Sequence, residues 1–152
     1  RKRMSVDVLA VKDKVQRYIA EVAGTVQIDS DGDFTFRTGS SQMWVSVSKV
    51  EKTGSYAEFV AVKVFANTNN RVPASPALYE YVATEGRYRI GALRCSRKDD
   101  GVRVWLEHTL MGNFLDPAEL YMTINYIGAT ADWVDDQIRQ RFGGDRYHRE
   151  DN

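Results

Sequence analysis

Three aspartates in a short run are the most obvious residues that could bind a metal ion. Asp29, Asp31 and Asp33 alternate in the sequence DSDGDF, a pattern similar to the start of a calcium-binding loop. Such a loop requires glycine at its sixth position and an acidic ligand at its twelfth. Those positions hold Phe34 and Ser40, so we expect no metal site and interpret the run as a solvated hairpin turn.

The residues that could transfer protons or act as nucleophiles do not combine into a catalytic group. His108 follows Glu107 on a predicted strand, but no serine or cysteine has a sequence context typical of an activated nucleophile. His148 lies in a polar tail, and Cys95 lies in a strand-like run where a buried apolar role is expected. We therefore expect no catalytic residues, no cofactor and no enzymatic activity.

Acidic residues near the end of the chain could form paired carboxylates. Asp132 and Asp136 are four residues apart and share one face of a predicted helix. Arg139 follows Asp136 by three residues, which is the spacing of an ordinary ion pair on a helix surface. We interpret these aspartates as surface residues of the helix.

The composition excludes several classes of protein. With 152 residues, of which 43% are hydrophobic and 28% charged, the chain is long enough for one globular domain. It carries 21 basic and 21 acidic residues, so it lacks the basic excess typical of nucleic-acid binders. No apolar run has the length of a membrane helix, and the single cysteine fits a reducing compartment such as the cytoplasm.

A long amphipathic helix from Asp116 to Gly144 is the strongest structural prediction. Asp116 is a favourable N-cap, Pro117 fits the first helical position, and Gly143 and Gly144 provide a stop. Apolar residues recur at spacings of three and four, which places them on one face: Leu120, Ile124, Ile127, Ala131, Val134, Ile138 and Phe142. This face requires a broad apolar surface, which the preceding strands must supply.

The rest of the chain predicts two further helices and about six strands. A first helix is expected from Val6 to Val22 with Ser5 as its cap, and a short one follows Ser75 up to Thr84. Alternation of apolar and polar residues predicts strands at 25–29, 33–37, 42–50, 56–66, 88–95 and 102–111. The order α-β-β-β-β-α-β-β-α indicates an α+β domain, an antiparallel sheet with helices packed mainly on one face. We expect residues 1–4 and 145–152 to be flexible.

Apolar residues fall on both faces of the fourth strand, and several aromatic residues lie out of phase. Val60, Val62 and Val64 share one face of this strand, whereas the opposite face holds Ala57, Phe59, Ala61 and Phe65. Either both faces are covered within the domain, which we favour, or one contacts a partner. Out-of-phase aromatic residues allow the same two interpretations: Trp44, Tyr56, Trp105 and Trp133.

Several short segments carry a resemblance to a known family. They are DGDF at 31–34, FANTNN at 65–70, LYEYVA at 78–83, and GNFLDPAEL at 112–120. Together with the order of elements, they resemble the YbjN family, which shares the fold of type III secretion chaperones. The segment ATADWVDDQIRQRFGG at 129–144 is similar to actinobacterial members of this group. The resemblance covers nearly the whole chain, residues 1–152, as a single domain.

The resemblance implies a non-enzymatic, chaperone-like module that binds a protein or peptide partner, with a homodimer as one alternative. Type III secretion chaperones hold partners as extended segments against apolar patches on the sheet and the first helix. By this resemblance, the partner-binding residues expected here are apolar sheet positions: Trp44, Phe59, Phe65 and Trp105.

Two other functions are alternatives. In the first, the chain is the cytoplasmic core of an accessory factor in mycobacterial cell-envelope transport of the lipid trehalose monomycolate. It would then belong to a membrane transport complex and be anchored through a segment upstream of Arg1, with the Arg1–Arg3 cluster at the membrane. In the second, a cavity between the sheet and the last helix binds a small molecule or lipid.

Overall fold

The computed structural model describes residues 7–54 and 57–147. The predictions made for the Arg1–Arg3 cluster, Ser5, Tyr56 and His148 lie outside these residues. Within them the chain forms three helices and seven strands: α1 (Val8–Ala23), β1 (Gln27–Ile28), β2 (Phe34–Thr38), β3 (Ser41–Val50), β4 (Phe59–Val72), α2 (Pro76–Thr84), β5 (Ala92–Lys98), β6 (Gly101–Met111), α3 (Pro117–Phe142) and β7 (Asp145–Arg146).

All strands belong to one antiparallel sheet with the order β1-β2-β3-β4-β6-β5. The seventh strand, β7, pairs with β4 beyond the point where β3 stops pairing with it. The predicted α+β class, the antiparallel sheet and the order of elements up to α3 are therefore confirmed. The short strand β7 was not predicted, because residues from Asp145 onward were expected to be flexible.

The three helices pack against one face of the sheet, which we call the inner face. Because side chains alternate along a strand, Val60, Val62 and Val64 point to this face together with Met43 and Val45 of β3. All five are fully buried and form one cluster with residues of the three helices. Within the described residues no helix covers the opposite, outer face, where Phe59 and Phe65 of β4 are half-buried. The interpretation that we favoured for the fourth strand, that the domain covers both faces, is not confirmed.

Local sequence explains where the helices begin and end. The N-cap carboxylates of Asp7 and Asp116 accept hydrogen bonds from backbone N–H groups three residues later, at 3.1 and 2.8 Å, and the Ser75 hydroxyl accepts one at 3.1 Å. The cap of α1 is therefore Asp7. Gly143 ends α3 with a φ of 85°, a left-handed conformation that suits glycine.

The predicted apolar face of α3 is confirmed, since six of its seven residues are buried and the last, Phe142, is half-buried. On α1, Val11, Val15 and Ile19 are buried, whereas Val22 near the end of the helix is 49% exposed.

Two predicted boundaries are wrong for reasons of tertiary structure. The segment 67–73 was expected to be a polar loop, but β4 continues to Val72 because β6 and β7 pair with it there. Irregularities in the pairing at 67–72 accommodate its asparagines. The strand expected at 88–95 begins only at Ala92, because Gly91 adopts a left-handed φ of 86° in a tight turn that packs against Ile127.

A small polar cluster interrupts the apolar layer between β4 and α3. Asn69 is fully buried and donates its side-chain N–H to the main-chain oxygen of Asp135 at 3.0 Å. The side-chain Oδ1 atoms of Asn69 and Asp135 have no hydrogen-bond partner within residues 7–54 and 57–147. Burial raises the pKa of Asp135 to about 6; Arg146 opposes this shift, while Asp136 and Asp132 add to it.

Among the described helices, none is both long enough and apolar enough to cross a membrane.

The packing of α3 leads to a first prediction. Leu120 is fully buried, whereas Met122 on the same helix is 68% exposed. We expect Leu120→Ala to lower the free energy of unfolding by about 2–5 kcal/mol, since it removes buried methyl groups and leaves a cavity. Met122→Ala is the matched control and should change it by less than about 0.5 kcal/mol. Urea unfolding followed by circular dichroism measures both, and equal losses would contradict this packing of α3.

The polar cluster leads to a second prediction, on the pH dependence of stability. Because the pKa of Asp135 is higher in the folded protein than its ordinary value of 3.8, protonation of this carboxyl favours the folded state. This stabilisation is complete below pH about 4 and is lost as the pH rises through about 6. The asparagine of the variant Asp135→Asn cannot ionise. As the pH rises from 4 to 8, the free energy of unfolding of this variant should therefore increase by about 2 kcal/mol relative to that of the wild type.

Urea unfolding of both proteins at several pH values measures this difference in the free energy of unfolding. The contributions of the other titrating groups are the same in both proteins and therefore cancel in the difference. A stability difference that stays constant from pH 4 to pH 8 would show that Asp135 keeps an ordinary pKa in the folded protein.

Candidate functional site

The outer face of the sheet brings together three of the four predicted partner-binding residues. Trp44 on β3 lies directly opposite Phe65 on β4, and Trp105 on β6 lies opposite Asn67 of β4. All three aromatic side chains are half-buried. They point outward because each lies one position from an inward-facing core residue of its strand.

The aromatic rings on this face are in direct contact. The rings of Trp44 and Phe65 stack with centroids 5.7 Å apart and an interplanar angle of 12°. Tyr147 contacts the other side of Trp44 edge-on, with centroids 5.5 Å apart. The ammonium group of Lys63 lies 5.1 Å from the centroid of Phe65, within the range of a cation–π interaction.

Tyr147 reaches this face because β7 holds the preceding residues along β4. Asn69 and Asn70 pair with β7, and the backbone N–H of Tyr147 donates to the Thr68 oxygen at 3.0 Å. Gly144 permits the approach: its φ is 78°, and a Cβ there would lie 2.8 Å from the Asn70 oxygen.

Three ion pairs among the described residues fix β7 in place. The Asp145 carboxylate lies 2.7 Å from the guanidinium of Arg71. The guanidinium of Arg146 lies 2.8 Å from the Asp136 carboxylate and 3.9 Å from that of Asp135, both on α3.

These side chains line an open groove of about 340 Å³ on the outer face. Its aromatic centre is formed by Trp44, Phe65, Trp105 and Tyr147. The indole N–H of Trp105 donates to the Glu107 carboxylate at 2.8 Å, which satisfies its polar group and holds the ring in place. Polar and charged residues line the remainder: Asp29, Asp31, Asp33, Lys63, Asn67, Ser96, Lys98 and Arg103.

Phe59, the fourth predicted partner-binding residue, and Trp133 do not line this groove. Phe59 is on the outer face too, but it lies opposite Val50, six residues along β4 from Phe65 and about 20 Å away. Trp133 lies on α3, on the other side of the sheet, and is 58% exposed. Tyr147 also lines the groove but was not predicted, because its position depends on the unpredicted β7.

Hydrogen bonds between backbone N–H groups and the Asp29 side chain stabilise the aspartate turn at one end of the groove. Asp29 Oδ1 accepts from the backbone N–H groups of Asp31 and Asp33, at 3.0 Å each. One oxygen from each of the three carboxylates lies within 4.8 Å of the others. Burial raises the pKa of Asp33, as do the charges of Asp29 and Asp31, while a hydrogen bond from Ser46 and the charge of Lys63 lower it.

The residues considered for catalysis stay apart. The hydrogen bonds and ion pairs of residues 7–54 and 57–147 include none that joins His108 to a hydroxyl, thiol or carboxylate. Asp132 instead accepts a hydrogen bond from the Ser41 hydroxyl at 2.6 Å, which ties α3 to the start of β3. The predicted ion pair between Asp136 and Arg139 is present at 3.7 Å. Burial raises the pKa of the Cys95 thiol, which disfavours the reactive thiolate.

Comparisons with known proteins agree with this fold. No curated protein matches the chain. Among solved structures, one that is similar is the type III secretion chaperone SycH of Yersinia pestis, in complex with a stable fragment of YscM2. It shares 12% sequence identity with this chain, has a TM-score of 0.50, and the match covers 81% of this chain and 98% of SycH. At this identity the likeness shows the fold alone.

The family comparison covers most of the chain. Residues 10–150 match a family model described as T3SS (YopN, CesT) and YbjN peptide-binding chaperone 1. The resemblance stated from the sequence is thereby confirmed. The chain belongs to this family of peptide-binding chaperones of type III secretion and YbjN type.

Proposed function

We propose that this protein is a non-enzymatic peptide-binding module that holds an extended segment of a client protein in the outer-face groove. The observation that carries the proposal is the alignment of Trp44, Phe65 and Trp105 on the face that no described helix covers. Membership of a family of peptide-binding chaperones supports the same function.

The chemistry of the groove suits an unfolded client segment. Aromatic side chains bury a large area at a small cost in conformational entropy, so they dominate the energy of many protein interfaces. Trp44 and Phe65 are already held by stacking, so little further order is lost when a peptide contacts them. The polar groups of Asn67 and Ser96 at the rim can bond to a peptide backbone, whatever its side chains.

The two alternative functions gain no support from the family match or from the structural neighbour. At the place where the sequence suggested a cavity for a lipid or small molecule, Leu120, Ile127, Val134 and Ile138 of α3 are fully buried against the sheet. Neither comparison bears on a membrane anchor or on a transport complex. The homodimer stays a prediction from the resemblance.

A third prediction tests the groove by mutation. Peptides of twelve random residues displayed on phage are selected on the immobilised protein, and the affinity of the enriched peptides is measured by fluorescence anisotropy. We expect Trp44→Ala and Trp105→Ala each to weaken binding at least about tenfold, because each removes a large aromatic contact.

Trp133→Ala is the matched control, since it removes an exposed tryptophan from the helical side of the protein and should leave the affinity unchanged. Thermal unfolding of each variant verifies that the fold is retained. If no peptide is enriched, or if the affinity of the folded Trp44→Ala variant equals that of the wild type, the groove is not the binding site.

A fourth prediction concerns Phe59, which the sequence placed in the binding site. Because Phe59 lies about 20 Å from Phe65 along β4, we expect Phe59→Ala to change the affinity of the selected peptides by less than about twofold. The same fluorescence anisotropy measurement gives the affinity of the Phe59→Ala variant for these peptides. A loss as large as that of Trp44→Ala would show that clients contact the whole length of the outer face.

A further inference from the structure

The two ends of the outer-face groove carry opposite charge. Asp29, Asp31 and Asp33 lie at one end, in the turn between β1 and β2. Lys98 at the end of β5 and Arg103 on β6 lie at the other end. In the sheet order, β3 and β4 separate β2 from β6, so the two charged groups are on opposite sides of the aromatic centre.

The cationic end is available to a ligand. Within residues 7–54 and 57–147, no carboxylate forms an ion pair with Lys98 or Arg103. Arg103 donates only a long hydrogen bond, 3.3 Å, to the neutral side chain of Asn70. Both residues are exposed, so a carboxylate of a bound peptide can approach them without displacing another acid.

The anionic end has more negative than positive charge. Two ammonium groups lie near the three carboxylates: Lys63 beside Phe65, and Lys12 of α1, which approaches the turn at Gly32. Neither forms an ion pair with the aspartates. The crowding of like charges that helps to raise the pKa of Asp33 also favours a cationic ligand group here.

The distance between the ends sets the length of the segment that spans them. From β2 to β6 there are three steps between neighbouring strands, or about 14 Å at about 4.8 Å each. The register places Phe34, next to Asp33, level with His108 of β6, and Arg103 lies five residues further along β6, or about 17 Å. The two ends are therefore about 22 Å apart on a diagonal, which an extended peptide covers with about seven residues. Trp44 and Phe65 lie midway, where the apolar residues of such a segment would meet them.

We propose that the groove selects client segments of about seven extended residues that cross the strands diagonally with a defined charge pattern. An apolar or aromatic residue contacts Trp44, Phe65 and Trp105, a basic residue lies at the aspartate turn, and an acidic residue lies at Lys98 and Arg103. This proposal rests on the proposed function, to which it adds the chemistry of the client.

Three synthetic peptides test the pattern. All have blocked termini and the same five-residue centre, Ser-Phe-Ser-Leu-Ser, and they differ only in their end residues: Lys and Glu, two Lys, or two Glu. Binding is measured by ¹H–¹⁵N NMR titration of the protein at low salt. We expect the peptide with one Lys and one Glu to bind about fivefold more tightly than either of the others, with a smaller difference at high salt.

A charge-reversed variant of the protein tests which residues recognise the charge pattern of the peptide. In the double variant Lys98→Glu with Arg103→Glu both ends of the groove are acidic, so the peptide with two Lys should become the tightest ligand. The matched control is Arg17→Glu with Arg89→Glu, which changes the net charge equally at exposed residues outside the groove. This control should keep the preference of the wild type.

Each outcome decides between the two proposals. If the peptides bind equally well, or if the charge-reversed protein keeps the wild-type preference, the charge pattern is wrong while peptide binding stands. If none of the three shifts the resonances of residues lining the groove, both proposals are overturned.

Discussion

The alternation of side chains along β4 is the constraint on which the rest of the structure depends. This strand pairs with β3, β6 and β7, and its inward valines form the surface against which α3 packs. The same geometry directs Phe65 and Asn67 outward, into the groove. Core and candidate site are therefore opposite sides of one strand, and a shift in register by one residue would exchange them.

The far end of β4 shows how a polar sequence is accommodated in a sheet. Here the pairing with β6 becomes irregular, Thr68 donates its hydroxyl to the Val104 oxygen at 3.0 Å, and Asn69 turns inward to α3. Burying Asn69 and Asp135 costs stability, since one oxygen on each lacks a hydrogen-bond partner within residues 7–54 and 57–147. On the other side of this segment β3 no longer pairs with β4, and β7 attaches to the edge left there.

Local patterns in the sequence predicted much of the fold. The apolar spacing of α3, its cap at Asp116 and the alternation along β3 and β6 depend only on neighbouring residues, and these elements were found. Trp44 and Trp105 were selected because they are aromatic residues out of phase with the apolar face of their strands, and Phe65 because it lies on the second apolar face of the fourth strand. The strand character of 67–70 and the position of Tyr147 depend on pairing between distant segments, and the asparagine-rich sequence locally favours a loop. The opposite charges at the two ends of the groove could not be predicted, because their positions follow from the order of the strands in the sheet and no local pattern contains that order.

One wall of the groove comes from a segment far from Trp44 in the sequence. During synthesis on the ribosome, β3 and β4 emerge long before Tyr147, so the stacked pair of Trp44 and Phe65 is exposed to water before its edge-on neighbour arrives. The contact between these distant residues closes a long loop and adds to the contact order of the domain. The groove therefore gains its Tyr147 side only after β7 has paired with β4, which requires synthesis of the chain through residue 147.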